Sequence, residues 1–378
     1  MMGERGSAAE HFVDVDRGGR MEEWTWQSGR LGVVLPPLAA APFVSIVIPC
    51  YQEEEHIENV VRMAARQTYS PQHIEIFVVD GGSSDRTREI VEALAREDPR
   101  ITLLHNAARL QASAMNLAIV RSRGDVIVRM DAHADYDANY VVAAISALRR
   151  TGALNVGGAV RLRAKTPFQR ALCAALESPL GVGGSAAWNA ARTGFVESVW
   201  GGAFRRQTFE LVGLYDPAAR TNEDAELCQR IIERGGRVYQ CKHVINHYYP
   251  RKSYGALGRQ YFAYGLGRAR TLCRHRRLLS LRPMLPFLAG TTFVLLALAA
   301  LFEPRITPIV MVLGALYGAV VVCEALRVAW RMDIRLFPRV TLIFPVMHFT
   351  HAFGFALGLF RYAGRVSQEA EPERLVVR

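Results

Sequence analysis

The stretch VRMDAHADY, residues 128–136, contains a carboxylate and an imidazole separated by one residue. Asp131 and His133 follow the mostly apolar run 125–130, which has the composition of a buried strand. Alternate residues of an extended chain point to the same side, so both side chains can approach one ion. Imidazole is a better ligand for Mn²⁺ and later metals than for Mg²⁺, which prefers oxygen. The pair therefore predicts a divalent-cation site at the end of a strand.

Further acidic residues follow two other apolar runs. Glu53 comes shortly after VSIVIP (44–49), and Asp80 ends IEIFVVD, with Asp85 in the turn beyond it. Like charges gathered at one rim repel each other and resist burial, so such a cluster needs a cation or hydrogen-bond donors from a ligand. A nucleotide supplies such donors through its ribose hydroxyls and base N–H groups, and a divalent metal supplies positive charge.

The elements that must position these acids alternate between strands and helices. Strands are predicted at 44–49, 74–80, 101–106 and 124–131, with helices at about 57–67, 86–96 and 111–122. Repeated strand-helix units of this length predict a parallel, doubly wound α/β sheet. Ligands of such sheets bind beyond the carboxyl ends of the strands, which is where the acidic residues lie.

The C-terminal quarter contains three apolar blocks, at 283–302, 306–328 and 337–360. Each is about 20 residues or longer, and a helix that rises about 1.5 Å per residue then crosses a hydrocarbon core of about 30 Å. The blocks lack the polar face that a helix of a soluble globular protein needs. They predict a C-terminal bundle of about three transmembrane helices.

Positive charge is concentrated next to these blocks. The chain has a net charge of +11, and residues 251–282 carry nine Lys or Arg residues and no acid. Because this segment directly precedes an apolar block, it predicts binding to anionic membrane lipids rather than to nucleic acid. Arg331, Arg335 and Arg339 lie between the second and third blocks or at the very start of the third, so the positive-inside rule places this loop and the large domain in the cytoplasm. Residues 1–41 show no secretory signal pattern, and the cysteines form no CxxC pair, as expected for reduced thiols.

Several motifs across residues 44–251 resemble, in the same order, those of the inverting family 2 glycosyltransferases with the GT-A fold. They are VSIVIPCYQEEEHI, IEIFVVDGGSSDRT, VRMDAHADY, and GGAFRRQTFELVGLYDP followed by NEDAEL. DAHA, ESPLGVGGSA, NEDAELCQRI and YPRKSY are most similar to bacterial exopolysaccharide membrane glycosyltransferases of the succinoglycan-biosynthesis type. The resemblance implies a GT-A nucleotide-sugar-binding domain that precedes the transmembrane bundle.

This organisation divides the chain into five segments. An N-terminal extension (1–41) precedes the GT-A domain (42–250), and a basic juxtamembrane segment (251–282) leads into a transmembrane region (283–360) and a tail (361–378). The implied location is the bacterial inner (plasma) membrane, with several crossings and a cytoplasmic catalytic domain. Within the GT-A domain, the apolar helix and glycine-rich loop at 167–188 predict an interfacial element over a lipid acceptor.

The resemblance also assigns roles to individual residues. It implies that Glu53, Asp80 and Asp131 contact the nucleotide-sugar donor and that Asp85 supports the turn. It implies a Mn²⁺ or Mg²⁺ site at Asp131 and His133, with His247 completing the metal shell or touching the diphosphate, and a catalytic base at Asp224. The implied acceptor-binding residues are Trp200, Gly201, Gly202, Glu223 and Arg251. Asp224 lies in the first turn of a predicted helix, where the helix dipole favours the ionised form that a base needs. The alternatives are a simple helix acid at Asp224 and a packed side chain at Trp200.

The activity implied is transfer of a sugar, typically glucose from UDP-glucose, to a polyprenyl-diphosphate-linked saccharide, with other polysaccharide-assembly proteins as further partners. Two alternatives stay open: transfer to polyprenyl phosphate, as in dolichyl-phosphate-mannose synthase-like proteins, and a catalytically silent membrane scaffold. Processive family members carry Gln-x-x-Arg-Trp, whereas Gln260 is followed here by Ala263 and Tyr264. This departure argues against a polysaccharide polymerase.

Overall fold

The computed structural model describes residues 11–15, 21–25, 35–158, 160–182, 190–277 and 280–364. Two short strands, β1 (His11–Val15) and β2 (Met21–Thr25), pair antiparallel within the predicted N-terminal extension. The rest of the extension up to residue 34, the glycine-rich loop at 183–189 and the tail from residue 365 onward lie outside the described residues.

The predicted strand-helix alternation is confirmed from residue 44 to residue 129. Its elements are β3 (Val44–Cys50), α1 (Ile57–Ala65), β4 (Ile74–Asp80), α2 (Thr87–Glu97), β5 (Ile101–His105), α3 (Gln111–Arg121) and β6 (Val126–Arg129). These four strands are parallel in the order β6-β3-β4-β5. Along β3, Ile46 and Ile48 pack into one apolar core and Val47 packs into a second core on the other face. Burial on both faces explains why the run has no polar alternation.

Beyond β6, the sheet gains further strands and becomes mixed. The sheet continues through β8 (Asn155–Gly157), β10 (Gly194–Phe195), β11 (Gly202–Arg205) and β12 (Val238–Gln240), in the order β10-β12-β8-β11-β6. Strand β11 runs antiparallel to both β6 and β8. It begins at the rim where the parallel strands end, because Gly202 pairs with Arg129, and so it must run back into the sheet.

A second, three-stranded sheet lies at this rim. It has the order β7-β13-β9, formed by β7 (Ala134–Tyr136), β9 (Val160–Leu162) and β13 (Asn246–Tyr248). His247 pairs with Asp135 and Arg161, while Tyr248 pairs with Ala134 and Leu162. Because neighbouring residues of a strand point to opposite faces, His247 and Tyr248 project from opposite sides of this sheet.

The remaining elements are helical. They are α4 (Tyr140–Thr151), α5 (Pro167–Glu177), α6 (Gln207–Val212), α7 (Glu223–Glu233), α8 (Tyr254–His275), α9 (Leu285–Ala300), α10 (Thr307–Met332) and α11 (Phe337–Tyr362). Within the described part of the chain, three helical stretches, Arg282–Ala300, Pro304–Met332 and Ile334–Tyr362, are long and apolar enough to cross a membrane. They coincide with the three predicted blocks.

Helix α8 lies inside the basic segment and connects the α/β domain to α11. Arg270 and Arg274 both donate to Asp216, and His275 is hydrogen-bonded to Glu226 of α7 at 3.0 Å. Several positive groups of the segment are therefore used within the protein, and binding of the segment to anionic lipids stays a prediction. On its other side, α8 packs against α11 so closely that a Cβ on Gly265 or Gly354 would collide with the backbone of the facing helix.

Candidate active site

The loops after β3 and β4 form one side of the site and are tied together by short hydrogen bonds. The backbone N–H of Glu53 donates to Thr87 Oγ1 at 2.9 Å, and that of Glu54 donates to Asp85 Oδ2 at 3.2 Å. Asp85 also accepts from the hydroxyl and the N–H of Thr87. Burial alone would raise the pKa of Asp85, but these hydrogen bonds lower it below its ordinary value. Asp85 thus occupies a turn-stabilising position.

Asp80 is almost completely buried at the end of β4, and its carboxylate is used within the same turn. It accepts from the N–H of Gly82 at 3.0 Å and from the hydroxyl of Ser83 at 2.5 Å. Gly82 has a φ of +82°, a conformation that glycine adopts without strain. In this structure Asp80 therefore shapes the loop that follows β4, and its oxygens accept hydrogen bonds from that loop.

Glu53 and Asp131 both act on His133. Nδ1 of His133 is hydrogen-bonded to Oε1 of Glu53 at 3.1 Å. Burial would lower the pKa of His133, but the hydrogen bond to Glu53 and the charge of Asp131 raise it above its ordinary value. The three side chains predicted at the strand ends thus form one electrostatic unit in which negative charge faces an imidazole.

This unit has the donor chemistry of a divalent-cation site. Carboxylate oxygens and one imidazole nitrogen suit Mn²⁺, and the carboxylates alone suit Mg²⁺. The His133 side chain is 40% exposed and can therefore be reached from solvent. Oδ2 of Asp131 receives only a 3.3 Å contact from Arg129, whereas Oδ1 is held by Arg129 at 2.8 Å and by Gln111 at 3.0 Å. Among the described residues, no three potential ligands already surround a common point.

Arg129 occupies the centre of the site and is 2% exposed. Its Nε donates to Asp131 at 2.8 Å, and its Nη1 donates to Asp224 at 2.7 Å and to Glu223 at 3.0 Å. Strand alternation explains the first contact, because residues 129 and 131 point to the same side. One guanidinium therefore joins the predicted cation ligand to the predicted base.

Asp224, in the first turn of α7, is held at both carboxylate oxygens. In addition to Arg129, the hydroxyl of Tyr215 lies 3.4 Å from Oδ1, and the backbone N–H of Gly201 donates to Oδ2 at 3.2 Å. Burial raises the pKa of Asp224 to about 7, with Arg129 opposing that rise and Glu223 adding to it. A carboxylate with such a pKa is suited to accept a proton near neutral pH.

The start of α7 is fixed by α8. Thr221 donates from its hydroxyl to the carbonyl of Ala263 at 2.9 Å, and the side-chain amide of Asn222 donates to the carbonyl of Tyr264 at 3.1 Å. Asn222 has a φ of +58°, in the left-handed region that Asn tolerates better than most residues. The position of Asp224 thus depends on the contact between the catalytic domain and α8.

An aromatic wall lies beside the acidic cluster. Trp200 packs edge-to-face on Tyr248, with 5.6 Å between ring centroids, and Tyr248 lies 6.4 Å from the ring of His133. Gln260 donates to the hydroxyls of both Tyr248 and Tyr264, at 3.1 and 3.0 Å. Trp200 is only partly buried, so one part of the ring packs while another part stays accessible.

The remaining predicted acceptor residues differ in placement. Gly202 has a φ of +108°, and a Cβ there would lie 2.6 Å from Oδ1 of Asn155, so only glycine fits. Glu223 is buried against Arg129. Arg251 is exposed, and its charge opposes protonation of His133, which places it near the cation unit.

The structure does not bring His247 to Asp131 and His133. The residue projects from the face of the small sheet opposite Tyr248, where it pairs with Asp135 and Arg161. Burial and the positive charges of Arg163 and Arg161 lower the pKa of His247. The register of β13 thus turns His247 away from the unit formed by Glu53, Asp131 and His133.

The sequence interpretation missed Arg129, Tyr215 and Tyr248. A signal for Arg129 was present, since an arginine within the apolar run VIVRM must be buried and a buried charge needs a partner. Tyr215 and Tyr248 gave no such signal, because their positions depend on long-range packing.

Comparisons with known proteins agree with this architecture. Residues 45–196 match the family model described as glycosyl transferase family 2. The succinoglycan biosynthesis protein ExoA of Rhizobium meliloti (strain 1021) is 38% identical over 243 residues, which cover 64% of this chain and 73% of the relative. A second relative is the dolichyl N-acetyl-alpha-D-glucosaminyl phosphate 3-beta-D-2,3-diacetamido-2,3-dideoxy-beta-D-glucuronosyltransferase of Methanococcus voltae, which is 24% identical over 327 residues, 84% of this chain and 98% of the relative.

Among solved structures, the chain is similar to the mannosyltransferase PcManGT from Pyrobaculum calidifontis in complex with GDP-Man and Mn²⁺. The TM-score is 0.54 at 22% identity, and the match covers 88% of this chain and 91% of that one. At this identity the likeness supports the GT-A fold. The family model and the 38% identical relative together show that the chain belongs to glycosyltransferase family 2.

Proposed function

We propose that this chain is a metal-dependent, inverting glycosyltransferase that transfers a sugar to a polyprenyl-diphosphate-linked saccharide in exopolysaccharide synthesis. UDP-glucose is the first donor candidate. One observation carries the proposal: the buried guanidinium of Arg129 donates to Asp131 at 2.8 Å and to Asp224 at 2.7 Å. The proposed cation ligand of the donor side and the proposed base of the acceptor side therefore lie on either side of one side chain. The similarity to a succinoglycan biosynthesis protein supports the acceptor class.

The acceptor hydroxyl loses its proton to Asp224. Oδ2 is the oxygen suited to take it, because it receives only the neutral N–H of Gly201 while Oδ1 is held by the positive charge of Arg129. As that proton leaves, the acceptor oxygen attacks the anomeric carbon from the face opposite the leaving nucleotide. A single displacement inverts the anomeric centre, so an α-linked nucleotide sugar yields a β-glycoside.

On the donor side, Asp131 and His133 would hold the Mn²⁺ or Mg²⁺ ion, with Glu53 orienting the imidazole. The ion, when bound, offsets the negative charge that develops on the departing diphosphate. Asp80 and Asp85 keep the turn after β4 in the shape that receives the nucleotide. Glu53 therefore acts through His133 as well as by direct contact with the nucleotide.

On the acceptor side, Trp200 offers a partly exposed ring for a sugar to stack on, and Tyr248 fixes its orientation. Gly201 and Gly202 let the backbone approach closely, while Glu223 sets the charge around Asp224 through Arg129. Arg251 is placed to contact phosphate.

The three apolar helices anchor the enzyme in the bacterial inner membrane, with the catalytic domain in the cytoplasm, in this proposal. Arg331 and Arg335 flank the turn between α10 and α11, on the side to which the positive-inside rule assigns the catalytic domain. Exposed arginines at the end of the basic segment, such as Arg276 and Arg277, remain available to anionic lipids.

The test is transfer of labelled sugar into the lipid fraction of membranes that contain the full chain. A panel of UDP- and GDP-sugars is assayed with and without Mn²⁺, beside an Asp224→Asn variant. The proposal predicts metal-dependent labelling of a diphosphate-linked lipid from a UDP-sugar, with loss of at least about 100-fold in the variant. A product that contains one sugar on a monophosphate lipid would instead establish the polyprenyl-phosphate activity, and UDP binding without transfer would favour the silent scaffold.

A further inference from the structure

Arg268 lies on α8, one helical turn after Tyr264 of the aromatic wall. Its side chain is partly buried, yet among the residues that the structure describes its guanidinium has no hydrogen-bond or ion-pair partner. Two other arginines on the same helix, Arg270 and Arg274, are paired with Asp216. Arg268 is therefore an uncompensated charge, which is costly to bury.

The groups that face Arg268 do not neutralise it. Burial lowers the pKa of Arg268, and the nearby Glu197, Cys228 and Tyr264 partly oppose that lowering. Glu197 is the acid among them, but it is exposed and lies beyond ion-pair distance, and burial raises its own pKa despite the charge of Arg268. Cys228 and Tyr264 are buried neutral groups, since burial raises the pKa of each well above neutrality.

A second unpartnered polar group lies on the facing helix. His351 of α11 is 8% exposed, and its Nδ1 has no hydrogen-bond partner among the described residues. The backbone of His351 abuts Gly265, one turn before Arg268, and the charge of Arg268 acts on the imidazole. The guanidinium of Arg268 and Nδ1 of His351, which both lack partners among the described residues, therefore lie in the same region, where α8 packs on α11.

We propose that Arg268 and His351 form an anion subsite that takes the diphosphate of the lipid-linked acceptor. A planar guanidinium matches the oxygens of a phosphate, and an imidazole N–H supplies a further donor. The subsite lies between Tyr264 of the aromatic wall and the apolar helix α11. A molecule with a saccharide at one end and a polyprenyl tail at the other would place its diphosphate between these two surfaces. This inference rests on the proposed function and identifies the part of the acceptor that the junction recognises.

The stability of an Arg268→Gln variant separates a ligand-binding role from a structural one. Because Arg268 has no partner within the described residues, its neutral replacement is expected to leave the thermal unfolding midpoint of the full chain unchanged or higher. An arginine that supports the fold would instead lower the midpoint when replaced. A lower midpoint than that of the matched control Arg259→Gln, an exposed arginine on the same helix, would overturn the proposal.

Binding is then measured with the full chain in phosphatidylcholine nanodiscs, with labelled undecaprenyl diphosphate as the probe. Arg268→Gln is expected to weaken binding at least about tenfold, as for loss of a charged hydrogen bond, and His351→Leu to weaken it about threefold or more. Arg268→Lys should recover part of the loss, and Arg259→Gln should bind as the wild type does. Wild-type binding by Arg268→Gln would overturn the proposal.

Competitors identify the source of the anion. Unlabelled undecaprenyl diphosphate should displace the probe, while phosphatidylglycerol and inorganic pyrophosphate should do so only at much higher concentrations. Equal competition by phosphatidylglycerol would make this a general headgroup site, and equal competition by pyrophosphate a site for free diphosphate; either result refutes the lipid-acceptor assignment. Binding of UDP with Mn²⁺ is measured in parallel, so that failure of the donor site, which counts against the proposed function, is distinguished from failure of this subsite.

Discussion

Replacement of Arg129 by Met tests whether one guanidinium holds the active site together. The substitution keeps an unbranched apolar stem and removes the charge that contacts Asp131, Glu223 and Asp224 at 2.8, 3.0 and 2.7 Å. We expect the variant to be less stable and to lose activity, because these carboxylates, which are 5–8% exposed, would then face each other without a counter-charge.

The magnitude follows from burial. Removal of one partner from a buried ion pair costs roughly 3–5 kcal/mol, because the remaining charge stays desolvated. Arg123, whose side chain is 72% exposed and lies 3.4 Å from Glu75, provides a matched control. Such a surface pair contributes about 0–1 kcal/mol. Arg129→Met should therefore lower the unfolding midpoint far more than Arg123→Met.

The loss of stability caused by Arg129→Met should grow with pH. The pKa of Asp224 in the folded protein is already raised from 3.8 to about 7, so the folded state holds a proton that the unfolded state has released, and stability falls as pH rises through that interval. The charge of Arg129 opposes this rise in pKa, so its removal extends the loss of stability above pH 7. The difference between variant and wild type should therefore be larger at pH 8 than at pH 5.5.

The assay is thermal unfolding of the detergent-solubilised full chain, followed by tryptophan fluorescence at both pH values. A double variant, Arg129→Met with Asp224→Asn, should recover part of the midpoint at pH 8, because one of the repelling charges is gone. The reasoning is refuted if Arg129→Met unfolds with the midpoint of Arg123→Met, or if its deficit does not change with pH.

Three further predictions concern the base, the cation site and the packing of the apolar helices. At saturating donor, the transfer rate should fall about tenfold per pH unit below about 7, because Asp224 must be ionised. A transfer rate that does not change with pH below 7 would contradict its role as the base. Asp131→Asn should weaken Mn²⁺-dependent nucleotide binding about tenfold or more, measured by calorimetry, whereas binding without metal should change little. Gly354→Leu should lower the unfolding midpoint because its Cβ would collide with the backbone of Phe262, whereas Gly318→Leu, which meets no atom within 4 Å, should not; equal midpoints would contradict the described α8–α11 contact.

Local patterns were sufficient to predict the central strands. The run IEIFVVD predicts a strand at residues 74–80, and β4 has those bounds. A continuous apolar run between turn residues is compatible with few other structures. The acids at the strand ends were likewise predictable, since their position depends on the chain direction of neighbouring parallel strands. Glu53, Asp131 and His133 do lie together.

Features that depend on long-range pairing were not predictable from local patterns. The direction of β11 is set by its pairing with β6, which lies more than 70 residues earlier in the chain. The orientation of His247 depends on the register of a strand of three residues, where a shift of one position reverses every side chain. Two of the three carboxylate partners of Arg129, Glu223 and Asp224, lie 94 and 95 residues away in sequence.

The most direct test of the proposed chemistry is the anomeric configuration of the linkage that the wild-type chain forms from an α-linked UDP-sugar. The lipid-linked product is released and its new glycosidic bond is assigned from the anomeric proton coupling constant in its NMR spectrum. A single displacement assisted by Asp224 predicts a β-linkage and no covalent sugar-enzyme species. An α-linkage would contradict the proposed single displacement, whatever the donor or the metal.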